Sequence, residues 1–196
     1  MDKYDLAYRF VAKWEGGLSD DPADRGGITH WGVSIEFLRD CARIDSSRCL
    51  HLGIEEPITR ETIKALTQEQ ARALFRWRFW DVPGFERYDA PLAVTLFDCS
   101  VNHGVKRAIL LAQKAFNYVC PDQGYWLIVD GIQGPKTRAA LPTVNPVVLS
   151  LAIISARRDF YRAIVKSNAS QKVFLKGWLN RADDLEKYVG NLELSS

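Results

Sequence analysis

The stretch Glu15-Gly16-Gly17-Leu18-Ser19-Asp20-Asp21-Pro22-Ala23-Asp24-Arg25-Gly26-Gly27-Ile28-Thr29 sets the reading of the whole chain. Ahead of it, Leu6, Phe10, Val11 and Trp14 recur at helical spacing, so residues 4–15 read as an amphipathic helix. Gly16 and Gly17 stop that helix just after a carboxylate. A polar loop follows, rich in Asp, with a second Gly-Gly pair and a threonine. Ile28, His30 and Gly32 then alternate with Thr29, Trp31 and Val33, the pattern of a small β-hairpin within residues 27–34.

Outward from this stretch the chain reads as helix after helix. Ser34 opens a short helix with Phe37, Leu38 and Cys41 on one face, and residues 44–58 read as an irregular insertion ending at Pro57. Thr67 and Gln70 form a capping-box pattern ahead of a helix that runs to Trp80. Residues 81–90 read as a linker. Pro91 marks the first turn of the next helix and Gly104 its end. Further helices follow over 106–119 and 146–166, the latter with Val148, Leu151, Ala152, Ser155, Phe160 and Ile164 inward. A last helix carries Phe174, Leu175, Trp178, Leu179, Ala182, Leu185 and Val189. The class is mainly α, with one small β-hairpin.

The chain has 196 residues, a net charge of +2 and 47% hydrophobic residues. That suits one domain or two lobes sharing a core, and the mild charge argues against a nucleic-acid binder. The polar start Met1-Asp2-Lys3-Tyr4-Asp5 predicts synthesis in the cytoplasm without a signal peptide or membrane anchor. The four cysteines, Cys41, Cys49, Cys99 and Cys120, lack zinc spacing, so neither a metal nor another cofactor is expected. Cys41 and Cys49 flank a short polar stretch and are either bridged or free.

The acidic loop carries the chemistry. Breaking a glycosidic bond needs one carboxylic acid to protonate the leaving oxygen and a second carboxylate to activate water or steady the sugar cation. Glu15, at a helix end beside a glycine hinge, and Asp24, on a loop able to fold back, offer that pair, and Thr29 is a candidate to hydrogen-bond the attacking water. The Asp spacing does not match a calcium-binding EF-hand loop. A solvated helix end followed by an ordinary Asp-rich turn fits the same residues.

Glu15-Gly16-Gly17, Asp21-Pro22-Ala23-Asp24-Arg25-Gly26-Gly27-Ile28-Thr29 and Trp31-Gly32-Val33 resemble the start of glycoside hydrolase family 108, the N-acetylmuramidases of phages and bacteria that include endolysins and secretion activators. Arg78-Phe79-Trp80 resembles the aromatic end of that domain. Leu96 to Gly104, Asp130 to Thr137 and Phe174 to Arg181 resemble its peptidoglycan-binding half. The chain departs from the pattern at Leu18, where an aromatic is common, and in a longer segment from Cys41 to Pro57. The resemblance implies a lysozyme-like helical fold, with a catalytic lobe at 1–92 and a helical wall-binding lobe at 93–196. It implies hydrolysis of the bond between N-acetylmuramic acid and N-acetylglucosamine. Glu15 falls on the family's catalytic glutamate. Asp24 and Thr29 fall at the spacing of the second carboxylate and the water-holding threonine of phage-type lysozymes.

His30, Trp31, Asp98, Asn102, Tyr125 and Trp126 are candidate substrate contacts. Asp98 and Asn102 share a helix face, and Tyr125-Trp126 reads as a loop-borne aromatic pair. Arg157, Arg158 and Arg162 read as the outer face of a helix. The implied partner is the peptidoglycan strand, met as a monomer outside the cytoplasm with a holin-type partner for export. Two rivals remain: a lytic transglycosylase, and a non-catalytic wall-binding secretion accessory. A helix-turn-helix DNA binder is weaker still, because no recognition helix stands out.

Overall fold

The computed structural model describes residues 2–19, 27–122, 124 and 126–193. It is mainly α, with one two-stranded antiparallel sheet among the described residues. The chain forms two compact units, residues 11–78 and residues 1–10 with 79–196. Helix α1 (Lys3–Trp14) begins in the larger unit and ends in the smaller. Residues 81–90, expected as a linker, lie within the larger unit, as do Phe79 and Trp80 before them. They form a 3-10 turn at Phe85–Arg87 and bury Trp80, Phe85 and Tyr88.

In the smaller unit, β1 (Thr29–His30) pairs with β2 (Val33–Ser34), with Thr29 opposite Ser34 and His30 opposite Val33. Trp31 and Gly32 make the two-residue turn, with φ of 53° and 78°. Positive φ at both positions is the primed turn that matches strand twist. Helix α2 (Ile35–Ile44) is capped by Ser34, whose hydroxyl accepts from the Phe37 amide at 3.1 Å. The expected irregular insertion contains a helix, α3 (Ser46–His51), started by the Asp45 carboxylate accepting from the Arg48 amide at 2.9 Å. A single Asp cap suffices for so short a helix, and short polar helices leave no hydrophobic period to read.

Helix α4 (Arg60–Ala65) and helix α5 (Gln68–Arg76) follow. The capping box before α5 is formed as expected: the Thr67 amide donates to Gln70 Oε1 at 2.8 Å, and the Gln70 amide donates to Thr67 Oγ1 at 3.2 Å. Val33, Leu38, Cys41, Cys49, Ile63, Leu74 and Phe75 are buried. All four cysteines are free thiols, and burial pushes the Cys41 thiol up to about 12.

The larger unit is built on α6 (Ala90–His103), buried without interruption from Pro91 to Ser100. Helices α7 (Val105–Val119), α9 (Pro146–Ser167) and α10 (Lys172–Glu193) pack on it, and α8 (Pro135–Ala140) follows a long loop. The first turns of α1 join this unit: Tyr4 meets Trp80 and Phe97 edge-on, and Tyr188 Oη donates to the Leu6 carbonyl at 2.9 Å.

Asp98 sits in the middle of α6 with no exposed surface. It was expected to contact substrate, and the structure corrects this. Its carboxylate pairs with Arg157 of α9 and with Arg181 of α10, the latter through Nε at 2.9 Å and Nη2 at 2.7 Å. Arg157 is equally buried, so it is not an outer-face residue. Arg158 pairs with Asp183 and Glu186, and Arg162 with Asp159. The inward face of α9 is accordingly Val147, Leu149, Ser150, Ile153, Ile154, Arg157 and Tyr161, while Val148, Leu151 and Ser155 are exposed. Arg157 shares this inward face, which differs from the face that apolar counting selects.

Burial alone would raise the Asp98 pKa, but the charges and hydrogen bonds of Arg157 and Arg181 outweigh it and hold the carboxyl below its ordinary value. Arg157 Nε donates to Tyr161 Oη at 2.6 Å, and Tyr161 Oη donates to Asn102 Oδ1 at 3.2 Å. His103 Nε2 lies 3.0 Å from the same phenol oxygen. Burial, with the nearby Arg157 charge, pushes the His103 pKa down to about 3.

Asp98→Asn leaves two arginines without their anion, so it is expected to destabilise the chain by about 3–5 kcal/mol in urea denaturation. Acid should also weaken the fold. The unfolded chain takes up a proton on His103 near pH 6.5, whereas the folded chain resists it down to about pH 3. Stability should therefore fall as pH drops through that window, and His103→Gln should flatten the slope of urea-derived stability against pH.

Candidate functional site

Glu15 follows the last turn of α1, and its amide donates to the Val11 carbonyl at 2.9 Å. The side chain is half-buried. It lies against the hairpin turn: a Cβ added to Gly32 would stand 2.8 Å from Glu15 Oε2 and 2.9 Å from its Cβ and Cγ. Real side chains do not approach that closely. Position 32 therefore must be glycine twice over, for its positive φ and for the carboxylate lying on it. The Trp-Gly pair in an alternating segment was the available signal for this turn, but its contact with Glu15 spans a gap in sequence that no local pattern reveals.

The hairpin is fixed from the other side. Trp31 Nε1 donates to the Leu66 carbonyl at 3.1 Å, and His30 Nδ1 lies 3.1 Å from the Ile63 carbonyl. A carbonyl partner makes Nδ1 the protonated nitrogen of the ring. The two rings stack with centroids 5.0 Å apart. A non-glycine residue at φ 53° carries strain of order 1–2 kcal/mol, and these contacts hold Trp31 there. Thr29 exchanges backbone hydrogen bonds with Ser19, both at 2.9 Å. Glu15, Thr29, His30, Trp31 and Gly32 thus all belong to the smaller unit. Asp24 and Tyr125 lie outside the described residues.

The remaining candidates lie in the larger unit. Asn102 is half-buried and accepts from Tyr161, so its carbonyl oxygen already has a protein partner. Trp126 is 65% exposed on the loop between α7 and α8. Trp80 is core, and Trp178 stacks between Tyr161 and Phe174.

Residues 8–104 match the model of the family Glycosyl hydrolase 108. The chain belongs to glycosyl hydrolase family 108. Residues 107–183 match a second model, a predicted peptidoglycan domain. A glycoside hydrolase domain and a peptidoglycan domain together account for most of the sequence. SagA of Brucella abortus shares the fold: it is 23% identical with a TM-score of 0.73, over 95% of this chain and 92% of that one. No curated protein sequence matches. Among the described residues no single helix is long and apolar enough to cross a membrane.

Gly32→Ala should force the Glu15 side chain off the turn and strain the backbone. The expected result is a loss of stability of about 1–2 kcal/mol in chemical denaturation, together with a displaced Glu15 in a crystal structure of the variant.

Proposed function

We propose that the chain is an N-acetylmuramidase that hydrolyses the bond from N-acetylmuramic acid to N-acetylglucosamine, with Glu15 as the general acid. The observation that carries this reading is the Glu15 carboxylate laid on Gly32. A proton donor must be held at one position relative to the bond it breaks, and here a helix end and a bare turn hold it. The Glu-Gly-Gly motif of the family falls on the same residue.

In this reading Glu15 protonates the glycosidic oxygen. Asp24 steadies positive charge on the sugar or, with Thr29, orients the attacking water. His30 and Trp31 support the turn under Glu15 and offer ring faces to the substrate beside it. The peptidoglycan domain keeps the enzyme on the wall, which lies outside the cytoplasmic membrane.

Asp98 is no rival for the acid. It has no surface, and two arginines hold it ionised, whereas an acid must carry a proton when the bond breaks.

Glu15→Gln is expected to lower release of reducing ends from purified sacculi by about 10²- to 10⁴-fold, with an unchanged circular dichroism spectrum. Mass spectrometry of the wild-type products should find N-acetylmuramic acid at the reducing ends. An anhydro sugar there would make the enzyme a lytic transglycosylase. Sedimentation with sacculi but no turnover would make it a wall-binding accessory.

A further inference from the structure

Gly16 and Gly17 are glycines that the folded chain does not itself require. Glycine is needed where the backbone turns left-handed or where a Cβ would collide. Gly32 meets both conditions, and so does Gly131, at φ 75° with an added Cβ 2.7 Å from the Lys106 carbonyl oxygen. Gly16 and Gly17 meet neither. Their φ angles lie outside the left-handed region, and a Cβ built on either has no neighbour within 4 Å among the described residues. The left-handed glycine that commonly closes a helix is therefore not the reason for them. Both are exposed.

Nor is the pair a loose joint. Before it, the Glu15 amide donates to the Val11 carbonyl at 2.9 Å. After it, Ser19 and Thr29 exchange two backbone hydrogen bonds, both at 2.9 Å. Only residues 16–18 lie between these anchors. Among the described residues neither glycine amide has a hydrogen-bond partner. Beside the half-buried Glu15 the chain thus runs as two exposed peptide units, held from both ends and bare of side chains. Glycine in such a place costs stability, because the unfolded chain gains freedom and the folded chain gains no fit. Whatever needs the clearance must come from outside the fold.

We infer that the substrate strand passes against the backbone at Gly16 and Gly17, and that their missing side chains give it the clearance to reach Glu15. The inference rests on the proposed reading of Glu15 as the acid, and it assigns a role to the two residues that follow. They decide how closely a sugar approaches the carboxylate. Gly32 serves the same carboxylate from within the fold, whereas Gly16 and Gly17 serve the ligand.

The test separates stability from turnover. Ala, Ser and Leu are placed singly at 16 and at 17 in the full chain. Both alanine variants should melt about 1–3 °C above the parent, because alanine at an ordinary φ has less freedom to lose on folding. Activity should move the other way. On soluble uncrosslinked peptidoglycan strands, kcat/KM should fall severalfold with Ala, further with Ser, and by about 10²-fold with Leu, the scale of a reacting group displaced by about 1 Å. Calorimetric binding of the same strands to these variants in a Glu15→Gln background should weaken in the same order. The three side chains restrict the backbone about equally, so equal losses would mean that glycine serves mobility, and the inference would fail. Melting below the parent would mean that the fold needs glycine, and would also overturn it, as would parental turnover in the Leu variants. None of these outcomes touches Glu15 as the acid. Conversely, a Glu15→Gln variant that still cleaved the strands would remove Glu15 from the chemistry, while a loss graded by side-chain size at 16 and 17 would still mark the path of the substrate.

Discussion

The larger unit depends on one buried anion. Asp98 has no contact with water, and a carboxylate in that position is tolerable only if cations come to it. They come from two different helices, Arg157 of α9 and Arg181 of α10. Each arginine must also arrive at the level of Asp98 along α6, so the three charges fix the rotation and the height of all three helices at once. Apolar packing alone would permit slips by a turn. Here a slip would strand a charge in the core, at a penalty of several kcal/mol. The network extends outward through Tyr161 to His103 and Asn102, so half-buried groups near the surface inherit their orientation from the centre.

The smaller unit solves a different problem by a different means. Its hairpin has two residues per strand, too short to be stable alone. The ladder is supplemented by the Ser19–Thr29 backbone pair, by the Trp31 indole on Leu66 and by the His30 ring on Ile63. These contacts hold a strained turn, and the turn gives Glu15 a floor without side chains. The glycine at 32 supplies both the left-handed backbone and the open space.

Much of this was legible in the sequence, and most of the illegible parts share a cause. Signals confined to a few neighbouring residues read true. Gly16 and Gly17 follow the end of α1, Thr67 and Gln70 cap α5, Pro91 opens α6, and the alternation near Thr29 is a hairpin. Apart from the short polar helix α3, whose local Asp45 cap was not read, the readings that failed needed partners distant in sequence. Arg157 looks like a solvated charge until Asp98, 59 residues away, is known to face it. Once it turns inward, the apolar face of α9 shifts with it, and Val148 and Leu151 are left outside. Asp98 itself reads as a cleft residue by its spacing from Asn102, since spacing reports which face a residue shares and not what covers that face. Gln113 and Asn117 hold the loop between α7 and α8 by hydrogen bonds and gave no signal, because an amide on a helix looks the same whether it meets water or grips a loop.

The two carboxylates Asp98 and Glu15 show how position decides chemistry in one chain. The same functional group sits in both places. Around Asp98 the fold places two guanidinium groups and excludes water, which favours the ionised form and removes any path for a substrate. Around Glu15 it places a helix terminus and a glycine turn, and leaves the side chain half-buried. A structural anion is made useful by strong partners on every side. In the role proposed for it, Glu15 would serve through a fixed position, because a proton donor must already stand where the sugar oxygen needs it when the bond breaks. The Gly32 contact fixes the position from beneath with a surface that offers no competing charge of its own.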